Sequence, residues 1–101
     1  MTPADPISVA VIVAAFLEKL GIRYVIGGSV ASSLMGEPRS TLDLDLMIAC
    51  DSDSVRALVA RLQDAFYVDE SDALRAVANQ STFNAIHLTS SLKVDFFLAE
   101  R

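Results

Sequence analysis

Thr41-Leu42-Asp43-Leu44-Asp45-Leu46-Met47-Ile48-Ala49 decides how this chain is read, because apolar and polar residues alternate along it with the period of a β-strand. Leu42, Leu44, Leu46 and Ile48 share one face, and Asp43, Asp45 and Met47 share the other. A strand so apolar on one side needs a layer to pack against, and its neighbours in sequence supply one. Downstream, Asp51 and Ser52 offer N-cap oxygens to a helix reaching about Phe66, with Val55, Leu58, Val59, Leu62 and Phe66 as its apolar stripe. Upstream, Arg23-Tyr24-Val25-Ile26 is a short β-rich run ending in Gly27-Gly28-Ser29, and Ser29 to Met35 has the pattern of a short helix.

Toward the N-terminus, Asp5 or Pro6 opens a helix to about Leu20. Its core stripe is Val9, Ile12, Val13, Phe16, Leu17 and Leu20, and Gly21 stands at the C′ position. The opposite side carries Ala10, Val11, Ala14 and Ala15, which suits either burial between layers or a surface that meets another chain. Tyr67 and Val68 add a short strand. Asp69, Glu70, Ser71 and Asp72 then fit the start of a helix to Asn79, where acidic groups complement the dipole and the orphan amides better than they make a metal site. Phe83 to Leu88 and Leu92 to Leu98 form a hairpin closed by Thr89-Ser90-Ser91. A three-residue loop sets Leu88 opposite Leu92, His87 opposite Lys93 and Ala85 opposite Asp95. Ile86, Leu88, Leu92, Val94, Phe96 and Leu98 then make the core face. His87, Lys93 and Asp95 occupy the other, His87 as an ordinary polar strand residue and Lys93 as a solvated charge. The expected architecture is α+β, a mixed sheet of about 4–5 strands packed against about 4 helices.

With 101 residues, 52% of them hydrophobic and 21% charged, the chain fits one domain spanning residues 1–101. Thirteen acidic against eight basic residues give a net charge of −5, which excludes a protein that coats nucleic acid through its phosphates. Cys50, the single cysteine, has no partner for an internal disulfide and no zinc-ligand spacing around it, so it is expected in the core of a cytoplasmic protein. Val9 to Leu17 is too short to span a bilayer, and Met-Thr-Pro-Ala-Asp-Pro lacks the positive start of a secretory signal. No membrane partner is expected.

Between a strand and a helix, Gly27-Gly28-Ser29 can bring backbone amides and a hydroxyl close to an anion, although many turns use the same residues for conformational reasons alone. Asp43 and Asp45 emerge on one strand face roughly 7 Å apart at the backbone. They can simply face solvent, or a hard cation such as magnesium can relieve their mutual repulsion. Asp95 tips that balance, because a charge within Leu92-Lys93-Val94-Asp95-Phe96-Phe97-Leu98 is an unusual choice for a strand and points away from its apolar face. Three carboxylates on one sheet face near a Gly-Gly-Ser turn provide what phosphoryl transfer needs, namely metal ligands and a base.

The run from Tyr24 through Gly27-Gly28-Ser29, Arg39-Ser40-Thr41 and Asp43-Leu44-Asp45, followed by a hydrophobic strand with a third aspartate, resembles the signature of the polymerase-beta-like nucleotidyltransferase superfamily, in particular its minimal, toxin-antitoxin-related members. The resemblance covers Arg23 to Leu98. It implies that Gly27, Gly28 and Ser29 hold nucleotide phosphates. Asp43 and Asp45 would bind two magnesium ions, with manganese as a substitute, and Asp95 would complete the metal site and help deprotonate the acceptor. Arg39 and Thr41 belong to the same pattern, ordering the turn or, for Arg39, reaching a phosphate. The implied activity is transfer of a nucleoside monophosphate from a nucleoside triphosphate to a protein, RNA or small-molecule hydroxyl. The alternative is a non-catalytic module of the same fold that binds a partner protein. Proteins of this family continue beyond the third-aspartate strand, whereas this sequence stops at Arg101. Three expectations follow from the resemblance: another chain, a partner protein or a second copy on the apolar first helix, supplies the absent part; the sequence is a piece of a longer one; or the domain binds nucleotide without turning it over.

Overall fold

The computed structural model describes residues 6–27 and 43–99, with Pro6 and Asp43 described by their backbone alone. Eight elements follow in order: α1 (Pro6–Lys19), β1 (Arg23–Ile26), β2 (Asp43–Ala49), α2 (Ser52–Leu62), β3 (Phe66–Val68), α3 (Glu70–Asn79), β4 (Thr82–His87) and β5 (Lys93–Leu98). The strands form one mixed sheet in the order β1-β2-β5-β4-β3, parallel only between β2 and β5. The fold is α+β as expected, with three helices among the described residues. The short helix expected over 29–35 lies outside them, as do Gly28, Ser29, Arg39, Thr41 and Leu42.

The α1 stop and the α2 and α3 starts have local reasons. Behind α1, Gly21 takes φ +71°, the Ile22 amide donates to the Leu17 carbonyl at 2.9 Å and the Gly21 amide to that of Glu18 at 3.1 Å, a Schellman stop that a Cβ would strain. Asp51 caps α2 by accepting from the Ser54 amide at 2.8 Å. Asp69 caps α3 by accepting from Ser71 and Asp72, at 2.8 and 3.3 Å. The acidic run 69–72 thus serves a helix start.

All three helices lie against one face of the sheet. Val9, Val13 and Leu17 of α1 and Val55, Leu58, Val59 and Leu62 of α2 join Leu44, Leu46, Ile48, Val94 and Phe96 in a single core. Phe83 and Phe96 stack within it at 4.8 Å between ring centroids. Cys50 is buried, as expected.

Two expectations are corrected. Helix α2 stops at Leu62, and Phe66 opens β3 opposite His87, because residue 66 is buried equally well as the next position of a helical stripe or as an inward strand residue, and pairing with β4 favours the strand. The hairpin is also shifted by one residue: Ala85 faces Val94, and Asn84, rather than Ala85, faces Asp95. Four residues, Leu88 to Ser91, separate His87 from Leu92, whose carbonyl accepts the His87 amide at 2.8 Å, and Ser91 adopts a positive φ of 64°. A one-residue shift turns every side chain of β4 over. His87 is therefore buried on the core face, tilted against Phe66 with its Nδ1 2.8 Å from the Ser90 hydroxyl, while Leu88 is exposed.

Candidate active site

The face of the sheet on which none of the described helices lies, the open face, is built in rows across neighbouring strands. In the first row, Asp45 of β2 stands beside Asp95 of β5, and Asn84 of β4 beside Asp95 on its other side. In the second, Asp43 of β2 stands beside Lys93, and Lys93 beside Ile86. The backbone thus brings the three aspartate positions singled out in the sequence onto two adjacent parallel strands. Asp45 and Asp95 are partly buried, each between inward-pointing core residues, so both project from the open face. The Lys93 ammonium lies 3.7 Å from Asp95 Oδ1.

Gly27 closes the first row at the sheet edge. Its amide donates to the Asp45 carbonyl at 2.7 Å, extending the ladder by one step past β1. A Cβ there would lie 2.8 Å from the Asp45 Cβ, closer than carbon atoms approach, so only glycine lets the chain pass at this point. The remainder of the Gly-Gly-Ser turn, together with Arg39 and Thr41, lies outside the described residues.

Two residues along from the acidic row, Val25, Met47 and Phe97 form an apolar row that is 66%, 50% and 42% exposed. With Gly27, Asp45 and Leu46 it lines a cleft of about 310 Å³ whose described wall is almost wholly apolar. A second cleft, of about 650 Å³, lies at the β1 edge between Glu18, Tyr24, Arg23 and Met47. There the Tyr24 hydroxyl donates to Glu18 at 2.6 Å, and this bond to a carboxylate raises the phenol above its ordinary value.

Carboxylate oxygens are hard donors and suit magnesium. Asp45 and Asp95, register partners on the same face, are donors of that kind. Among the described residues no group of three His, Cys, Asp or Glu side chains assembles, and the Asp43 side chain is outside that set. Of the two residues the sequence placed around Asp95, Lys93 is beside it and His87 is on the opposite face. Asn84 joins the row although the sequence reading does not name it: Phe83, Ala85 and His87 alternate with Thr82, Asn84 and Ile86, and the four-residue loop, rather than a three-residue one, turns Asn84 to the open face. No helix among the described residues is long and apolar enough to cross a membrane.

A family model described as aminoglycoside-2''-adenylyltransferase matches residues 9–94, from the buried face of α1 to the second residue of β5. The match takes in Gly27 to Ser29, Arg39, Thr41, Asp43 and Asp45 and stops one residue before Asp95. Comparison with curated proteins and with solved structures yields no match.

Proposed function

The chain belongs to the aminoglycoside-2''-adenylyltransferase family, a polymerase-beta-like nucleotidyltransferase family, and on that premise we propose that it transfers a nucleoside monophosphate from a nucleoside triphosphate to a hydroxyl group. The observation that carries this reading is the pairing of Asp45 with Asp95 on adjacent parallel strands, with Gly27 drawn against Asp45 at the sheet edge. A small-molecule hydroxyl of the aminoglycoside kind is the acceptor class that the family description favours. Protein and RNA acceptors, and a toxin-antitoxin setting, are the competing assignments.

In this reading Asp43, Asp45 and Asp95 would hold two magnesium ions, for which manganese could substitute. Magnesium, when bound, supplies Lewis-acid neutralisation of the triphosphate and of the charge that develops on the attacking and leaving oxygens. The chain itself contributes position and a proton acceptor. The Gly27-Gly28-Ser29 turn cradles the phosphates, with Arg39 and Thr41 ordering the approach to β2. Asp95 accepts the proton of the acceptor hydroxyl as its oxygen bonds to the α-phosphorus, and the bond from that phosphorus to the pyrophosphate oxygen breaks. Pyrophosphate leaves with the electron pair.

The test is transfer from ATP and GTP labelled at the α-phosphate, with magnesium, to an aminoglycoside panel, a protein extract and total RNA, with pyrophosphate measured in parallel. Labelled aminoglycoside and stoichiometric pyrophosphate, both abolished in Asp45→Asn, support the reading; label on protein or RNA alone moves the acceptor class. Absence of metal-dependent nucleotide binding and of transfer in a folded sample overturns it.

A further inference from the structure

We propose that Lys93 is a resident counter-ion of the carboxylate row, a side chain that a divalent cation displaces from Asp95 and that thereby lowers the row's affinity for metal. The inference rests on the nucleotidyltransferase reading insofar as the row is a metal site.

Two strands put the lysine there. Along β5, Lys93 and Asp95 are two residues apart and share the open face; across to β2, Lys93 is the register partner of Asp43, and Asp95 that of Asp45. Among the described residues, the backbone register thus sets Lys93 among three aspartate positions. Its nitrogen is 3.7 Å from Asp95 Oδ1, and the two side chains are 43% and 23% exposed. A pair this open to water is weak, and one of its partners can be exchanged without leaving a buried charge behind. The ammonium offers the carboxylates a single positive charge without a coordination shell, whereas a magnesium ion offers two charges and several ligand positions. The lysine is therefore outcompeted when metal is present and limits like-charge repulsion when it is not. Asn84, on the other side of Asp95, brings no charge to this balance.

Removing a unit positive charge a few ångströms from a divalent ion at a solvated site favours binding by about three- to tenfold at low ionic strength. The experiment is calorimetric titration of magnesium, and separately manganese, into the metal-free chain without nucleotide, for wild type, Lys93→Met, Lys93→Gln, Lys93→Arg and Asp45→Asn. Lys93→Met and Lys93→Gln should both bind metal about three- to tenfold more tightly than wild type, with the gain shrinking as potassium chloride is raised, and Lys93→Arg should keep wild-type affinity. Detectable binding in Lys93→Met where wild type shows none supports the same conclusion.

Equal or weaker binding in both neutral variants, with binding still lost in Asp45→Asn, overturns the role of Lys93 and leaves the metal reading of the row standing. Tighter binding in Lys93→Arg as well as in the neutral variants also overturns it, since charge would not be the cause. Unchanged binding in Asp45→Asn, or none in any variant, overturns both.

Discussion

Strands β2 and β5 carry two faces of opposite chemistry on one backbone. Toward the helices they present Leu44, Leu46 and Ile48 and Val94, Phe96 and Leu98, all buried; away from them the intervening positions hold Asp45 and Met47 and Lys93, Asp95 and Phe97, all at least partly exposed. The buried face gains free energy in proportion to the apolar area it removes from water and is sensitive to volume. The open face gathers carboxylates that contribute little to stability and repel one another when no cation is present. Stability and chemistry are thus separated by one residue of strand period, and the two faces should respond differently to mutation.

The largest effect is expected on the buried face. Phe96→Ala removes a fully buried ring that stacks on Phe83 and should cost about 3–5 kcal/mol in urea denaturation, a large share of the roughly 5–15 kcal/mol that holds a domain of this size together. Its neighbour in sequence reverses the pattern. Asp95→Asn should change unfolding free energy by about 1 kcal/mol or less while lowering nucleotidyl transfer about a hundredfold or more, measured side by side on one preparation. A comparable loss of stability in both variants would erase the distinction between the faces.

Gly27 lies where the two faces meet an edge, and it sharpens the comparison. Gly27→Ala should cost about 1–3 kcal/mol in thermal denaturation, because the new Cβ must push Asp45 aside, and it should lower metal affinity through that displacement. The smallest effect concerns Tyr24. Its hydrogen bond to Glu18 raises its pKa in the folded state, so the bond's contribution is complete below the unfolded value of about 10 and is lost as pH rises through the folded value. The difference in Tm between wild type and Tyr24→Phe should be constant from about pH 7 to 9 and close above about pH 10.

How much of this was legible varies from residue to residue. The alternation of Asp43 to Ala49 predicts both faces of β2, and the Asp51 and Asp69 caps and the Gly21 stop appear where local chemistry puts them. Phe66 reads as helical because residues at i and i+4 share a helix face, so Leu62 and Phe66 satisfy a helical stripe even though the helix ends between them. A three-residue hairpin loop sets His87 on the face of Asp95, whereas the four-residue loop of the structure turns it to the core. Ser91, in a left-handed conformation that serine seldom adopts, belongs to the longer loop, and nothing in its type announces it.

Local periodicity determined that this chain makes an apolar-faced strand bearing Asp43 and Asp45 and a later one bearing Asp95, since side-chain direction along a strand follows from the chain alone. The family signature of glycines, serine and aspartates was likewise present in the order of the residues. Only the tertiary structure decided that β5 lies next to β2, parallel and in the register that sets Asp95 beside Asp45 and Lys93 beside Asp43. That pairing joins residues about fifty positions apart in the sequence, and its register depends on how α2, α3 and β4 fill the intervening path, which no nearest-neighbour pattern encodes.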